Sequence, residues 1–242
     1  VTQPADFAYI NLMIESNVIK AAYDYGAKKL LFVGTAAVYP ECCPQPIKEE
    51  YLLTGPLDST KEAYAIAKIS GIKMCQYFDE QYGANFISVL PNNLYGPNDN
   101  FDLETSHVIP ALIRKFHTAK VTGADHVEVW GSGNQRREFL YVEDLADALL
   151  FLMNQYNNSE PINVGTGEDI SIKELSELIK RVVGYEGSIV LDTTKPDGAL
   201  RRLLDVSKLN ALGWKYKTSL EDGLTKMYKA SSEIYKRRKS NV

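Results

Sequence analysis

Three cysteines are too few to brace a chain of 242 residues. Cys42 and Cys43 are adjacent and Cys75 stands alone, so there is neither a disulfide framework nor the spacing of a metal motif. That usage fits a reducing, cytoplasmic setting and gives no expectation of a bound metal. No apolar run reaches the roughly 18 residues that a membrane span needs, and no signal peptide is visible. An excess of one charge is also lacking. The net charge of −4 gives neither nucleic acid nor a membrane surface a reason to bind. The basic run at 236–239 (KRRK) reads as a solvated helix end, and there is no internal repeat or low-complexity segment.

The most consequential absence is a glycine-rich strand-to-helix turn, the cradle of a dinucleotide pyrophosphate. The chain starts at Val1, without methionine, and passes straight into a helical pattern. The C-terminal two-thirds of a nucleotide-binding enzyme would read this way. Residues 1–242 by themselves are not expected to hold a dinucleotide normally.

What is present is ordinary in bulk and ordered in detail. Hydrophobic content of 45% and charged content of 24% suit a globular chain with a good core. Pro4 opens a helical pattern over 4–25, with Phe7, Ile10, Leu12, Met13, Ile14, Val18, Ile19 and Ala22 as its apolar face. Lys29 to Val33 is a short apolar run suited to a buried parallel strand, and it ends at Gly34-Thr35. A loop with several prolines leads to a helix from about Thr60 to Tyr82. Asn85 to Leu90 is the next strand, followed by Pro91-Asn92-Asn93-Leu94.

Helix, strand, helix, strand in that order predicts an α/β chain with a Rossmann-like, doubly wound parallel sheet. Ligands of such sheets bind beyond the carboxyl ends of the strands, where Thr35 and Asn92-Asn93 stand. Further helices are expected at about 108–118, 142–155 and 171–183 and from about 219. Further strands are expected at 127–130, 162–164 and 188–191. Ser171 and Glu174 have the spacing of a capping box.

Within this order Tyr64 and Lys68 stand four residues apart on one helical face. An ammonium there stabilises the phenolate left when the phenol gives up its proton, which suits a general acid for a reduced carbonyl. Tyr25/Lys29 and Tyr235/Lys239 have the same spacing. Gly26 breaks the helix inside the first of these, and the second lies in the basic C-terminal tail.

Thr35, Tyr64, Lys68 and Pro91-Asn92-Asn93 resemble the extended short-chain dehydrogenase/reductase family. The strings YAIAKISGIKMC, NNLYGPNDNF, SHVIPALIRKFH, VWGSG, REFLYVEDLADA, INVGTG and KPDG narrow the resemblance to its GDP-L-fucose synthase family, across nearly the whole chain. The resemblance implies a nucleotide-binding domain at 1–98 and about 137–168, its first βαβ unit missing. A smaller α/β substrate-binding domain would take about 99–136 and 169–242. It implies NADP(H) as cofactor, with NADPH delivering hydride to C4 of a GDP-linked 4-keto-6-deoxy sugar, and epimerisation at C3 and C5 to give GDP-L-fucose.

In that scheme Tyr64 donates the proton, Lys68 assists it and holds the nicotinamide ribose, and Thr35 hydrogen-bonds the carbonyl. Gly34, Pro91, Asn92, Asn93 and Leu94 contact the cofactor, Asn93 also the sugar. His107 sits beside the cofactor and acts as an acid during epimerisation. Lys115, Trp130, Arg137, Asp197 and Arg202 hold the nucleotide-sugar, cations suiting a diphosphate and an indole offering a ring a flat apolar surface. Trp130 would otherwise be a core aromatic, and Arg137 could equally cap a helix through Glu138. His117 and His126 carry no such context. The resemblance also implies a homodimer, paired through the helix at 4–25 and the one bearing Tyr64.

One position departs from the family. Its epimerase base is a cysteine two residues after the catalytic hydroxyl, and here that residue is Ala37, which cannot take a proton. Cys42 and Cys43 lie a few residues downstream. A C4 reductase without epimerase activity is therefore a second reading, and a catalytically silent Rossmann-like subunit a third. Thr35-Ala36-Ala37 lacks the acid that sugar-nucleotide 4,6-dehydratases carry, and SHVIPAL and KPDG argue against a 4-epimerase of UDP-sugars.

Overall fold

Proline in the first turn suits the opening of α1 (Pro4–Asp24), where its missing N–H has no intrahelical partner to lose. The computed structural model describes residues 3–239, with side chains as far as Ser231. After α1 come β1 (Leu30–Val33), α2 (Glu62–Tyr82), β2 (Phe86–Pro91), β3 (Asn93–Tyr95), α3 (Val108–Thr122) and β4 (His126–Trp130). Then follow β5 (Arg136–Arg137), β6 (Phe139–Tyr141), α4 (Val142–Gln155), β7 (Ile162–Val164), β8 (Ile170–Ser171) and α5 (Ile172–Val183). The order closes with β9 (Ser188–Asp192), β10 (Arg201–Arg202), α6 (Ser207–Ala211) and α7 (Leu220–Lys239). The side chains of the basic run at 236–239 and of Tyr235/Lys239 lie outside the described residues. Among the described residues, no helix is long and apolar enough to cross a membrane.

The chain divides into two compact units. The first comprises 1–92, 145–167 and 203–216. Its sheet has the order β1-β2-β7, with every pair parallel. All six residues of β2 are buried, as a central strand covered on both faces requires. Because parallel neighbours need a crossover, α2 carries the chain from β1 to β2. Ile19, Phe32, Tyr39, Ile47, Ile72, Phe86 and Leu90 fill the core. Each large apolar side chain there contributes about 1.5–3 kcal/mol by leaving water.

Two polar devices brace this unit. Asn163 accepts a hydrogen bond from the Tyr39 hydroxyl (2.6 Å) and donates to the carbonyls of Ile47 (2.9 Å) and Asp205 (3.0 Å). Burial, followed by the charge of Glu49, pushes the Tyr39 phenol far above its ordinary range. The Lys29 ammonium donates to the carbonyls of Leu152 (3.2 Å), Met153 (2.7 Å) and Tyr156, capping the end of α4. Tyr25 is 91% exposed, so this second Tyr-x-x-x-Lys pair is a structural lysine beside a solvated phenol.

The second unit comprises 93–144, 168–202 and 217–242. It holds three small sheets: parallel β3-β6, parallel β4-β9, and β10-β5-β8, in which β5 runs parallel to β10 and antiparallel to β8. Ile109, Phe116, Val127, Leu175, Ile179, Leu224 and Met227 make its core. The capping box at the head of α5 is formed: the Glu174 N–H donates to Ser171 Oγ at 3.1 Å, and the Ser171 N–H to Glu174 Oε2 at 2.9 Å.

Two expectations need correction. Residues 93–95, read as loop, form β3, because their edge pairs with β6. The elements β8, β10 and α6 were not anticipated, being too short to show a period. The apolar face of α1 is largely uncovered. Phe7, Ile10, Met13, Ile14 and Val18 are exposed, while Glu15 and Ile19 are buried.

Candidate active site

β1 runs out at Val33, and Gly34 follows where there is no room for a side chain. A Cβ at Gly34 would lie 2.6 Å from the Leu90 side chain, and its N–H donates to the Val89 carbonyl at 2.8 Å. This close approach delivers Thr35 to the carboxyl end of the sheet. Thr35 is extended (φ −161°, ψ 151°), and its Oγ1 accepts the Ala37 N–H at 3.2 Å, capping the short 3-10 turn Ala36–Val38. With that oxygen accepting, the Thr35 hydroxyl proton is left to be donated elsewhere. The methyl group of Ala37 offers nothing to a proton.

α2 packs against the same turn and carries Tyr64 and Lys68. Tyr64 is half-buried, its ring edge-on to Phe7 with centroids 5.7 Å apart. Its hydroxyl makes no hydrogen bond to a described residue. Lys68 is held from several sides. Its ammonium donates to the Val33 carbonyl at 3.2 Å and lies 3.0 Å from Glu15 Oε1. It also stands 4.9 Å from the ring centre of Phe32 and 5.8 Å from that of Tyr64. A free lysine side chain has about 2 kcal/mol of rotamer entropy to lose. These contacts settle it in one place, one helical turn from the phenol. Hydroxyls at Thr35 and Tyr64 and a fixed ammonium form a donor set that fits the ribose and carboxamide of a nicotinamide nucleotide. Pro91 is buried at the end of β2, and Asn92 is half-buried just beyond it.

The second unit carries the remaining expected residues. Trp130 ends β4 and is 58% exposed, so it is not a core aromatic. The ammoniums of Lys115 and Lys195 lie 5.1 Å and 5.4 Å from its ring centre, within cation–π range. Its indole N–H donates to Glu128 Oε1 at 3.2 Å. Lys115 also donates to the Glu128 carbonyl at 3.0 Å. Burial draws the Lys115 ammonium below its ordinary value, with the Glu128 charge opposing.

Arg137 and Arg202 are directly paired in register on parallel β5 and β10. Burial, and then the charge of Arg202, lowers the Arg137 guanidinium from its ordinary value. Arg137 does not cap a helix; its Nη1 donates to the Arg136 carbonyl at 2.8 Å. Two guanidiniums side by side repel each other and favour an anion. Asp197 accepts from the Ser132 N–H (2.8 Å), the Ser132 hydroxyl (2.7 Å) and the Gln135 amide, and the two bonds from Ser132 hold its carboxyl below the ordinary value. That carboxylate therefore pins the 195–198 turn, which runs beside Arg137: a Cβ at Gly198 would lie 3.1 Å from Arg137 Nη2.

Asn93 donates its amide N–H to the Glu138 carbonyl at 2.9 Å, and Leu94 next to it is half-buried. His107 is exposed just before α3; its carbonyl accepts the Ala111 N–H at 3.0 Å, and its imidazole bonds no described residue. His117 packs against Tyr228, its Nδ1 3.1 Å from the hydroxyl, and His126 is exposed on β4. Glu15 and Lys195 are the residues that sequence reasoning missed. The signal for Lys195 was its place in the KPDG string; nothing in the sequence marked Glu15.

Residues 1–165 match the model of the NAD dependent epimerase/dehydratase family. Over 95% of this chain and 73% of the other, the sequence is 56% identical to the GDP-L-fucose synthase of Sinorhizobium fredii. A GDP-L-fucose synthetase of Naegleria fowleri bound to NADP superposes with a TM-score of 0.92 at 32% identity, covering 98% of this chain and 76% of that one. MlghC, a GDP-mannoheptose C4 reductase of Campylobacter jejuni with NADP bound, superposes with a TM-score of 0.88 at 41% identity, covering 96% of this chain and 76% of that one.

Proposed function

The chain belongs to the NAD dependent epimerase/dehydratase family and, within it, to the GDP-L-fucose synthases; from that premise we propose that it reduces C4 of a GDP-4-keto-6-deoxyhexose with NADPH and epimerises C3 and C5, giving GDP-L-fucose. Bound NADPH supplies the hydride. Tyr64 gives the C4 oxygen its proton as the carbonyl is reduced, and the Thr35 hydroxyl donates a hydrogen bond to the same oxygen. Lys68 stabilises the resulting phenolate and holds the nicotinamide ribose. The first unit is the nucleotide-binding domain, with Gly34, Pro91 and Asn92 beside the cofactor. The second is the substrate domain, where Arg137 and Arg202 take the diphosphate and Trp130 and Lys115 take the rest of the nucleotide-sugar, with Asn93, Leu94 and Asp197 shaping their surroundings. His107 is the acid of the epimerisation, and with alanine at position 37 the proton leaving C3 or C5 is taken by Cys42, Cys43 or His107 itself.

The observation that carries this reading is the Lys68 ammonium, fixed at the end of β1 one turn from Tyr64. A silent subunit has no need of a cation held there. Ala37 favours a second reading, C4 reduction without epimerisation, and the likeness to a C4 reductase supports it. One experiment separates the two: the full-length protein is given GDP-4-keto-6-deoxymannose and NADPH in D₂O, and the product is analysed by NMR. Deuterium at C3 and C5 in GDP-L-fucose is the expected result. NADPH consumed without deuterium at those carbons establishes the reductase alone, and no consumption overturns both readings.

The protein works as a homodimer in the cytoplasm. The exposed apolar stripe of α1, together with Ile66, Tyr77 and Tyr82 on α2, supports pairing, and Cys42, Cys43 and Cys75, none of them in a disulfide, suit a reducing compartment.

A further inference from the structure

Glu15 is an anomaly in its helix. It is 6% exposed, on the face of α1 that turns towards α2, while Ile10, Ile14 and Val18 of the same helix are exposed. Both of its carboxylate oxygens are sealed from water and make no hydrogen bond to a described residue. Its counter-charge is the Lys68 ammonium, 3.0 Å from Oε1. The space it occupies is kept open by a second residue. A Cβ at Gly71 would meet Glu15 Oε2 at 2.9 Å and the Phe32 ring at 2.4 Å, so a larger residue there would press on both groups that flank Lys68.

A carboxylate in such a place is weak evidence for stability. Its desolvation offsets most of what the pairing returns, and an apolar residue of similar size would serve the core at least as well. The pair must be explained by what it holds. We propose that Glu15 is the positioning residue of Lys68. It anchors the ammonium from the α1 side while the Val33 carbonyl anchors it from the sheet, so that the lysine is set at the end of β1 before any ligand arrives. Without Glu15, one hydrogen bond to Val33 remains, and the four-carbon stem regains its freedom. The inference rests on the reading of Lys68 as a catalytic residue, but the coupling between the two side chains can be measured without it.

Two cycles on the full-length protein test this, built from Glu15→Gln, Lys68→Met and the double variant. In urea unfolding without cofactor, Lys68→Met strands a buried carboxylate, so adding Glu15→Gln to it restores stability rather than lowering it further. In turnover at saturating NADPH, Glu15→Gln lowers kcat by about tenfold to a hundredfold and leaves KM for the nucleotide-sugar within about twofold, the signature of a misplaced catalytic group. In the Lys68→Met background it lowers kcat no further. Additive losses of stability, or an unchanged kcat in Glu15→Gln, overturn the proposal. A wild-type protein that oxidises no NADPH defeats the reductase reading, and the unfolding cycle then decides the coupling by itself.

Discussion

At Tyr64, on the proposed reading, one oxygen atom separates a general acid from a hydrocarbon. Tyr64→Phe keeps the edge contact with Phe7 and removes only the hydroxyl, so kcat falls by about 10² to 10⁴ while the unfolding midpoint stays within a degree or so. Steady-state kinetics beside a thermal melt checks both halves. Trp130→Ala makes a different claim: an exposed ring bracketed by Lys115 and Lys195 serves binding, so KM for the nucleotide-sugar rises about tenfold with kcat little changed. The Tyr64/Lys68 pair was legible in the sequence because two side chains four apart on a helix share a face, whereas Trp130 was marked only by the VWGSG string. Glu15 was not marked at all. Whether a carboxylate on a helix is solvated or buried depends on what the neighbouring helix offers, and Lys68 and Gly71 lie 53 and 56 positions further along the chain.

Among the elements, those with several turns or a continuous apolar run could be read to within a few residues: α1, α2, α4, α5 and β2 all stand where their patterns put them. The strands β3, β8 and β10 have two or three residues each. No periodicity survives at that length, and they exist because a partner's edge is available. Two element-scale variants probe the packing. Gly71→Ala drives a methyl group into Phe32 and Glu15 and lowers unfolding stability by about 1–3 kcal/mol. Ser171→Ala opens the capping box of α5 at a cost of about 1 kcal/mol. Chemical denaturation measures each, and the second leaves turnover intact.

The molecule as a whole loses stability in acid, for a reason present in both units. Burial opposes the ionisation of Asp169, but hydrogen bonds from Arg201 and Arg136 outweigh it and hold the carboxyl below its ordinary 3.8. In the first unit the Ser207 hydroxyl does the same for Asp205. Folded carboxyls held low bind protons less readily than those of the unfolded chain. Their contribution is complete above the ordinary value and fades as pH falls through the lower folded values, so the thermal midpoint drops steadily below about pH 4. The proposed pairing of two copies adds a second dependence. One helix turns Glu15 inward to Lys68 and shows Phe7, Ile10, Ile14 and Val18 to the outside. A helix clothed by a twin is stiffer than one bathed in water, and its inner face inherits the stiffness. Enzyme concentration should therefore act as an effector: specific activity declines on dilution as pairs come apart, and Ile14→Glu, fully monomeric in sedimentation, shows the diluted rate at every concentration.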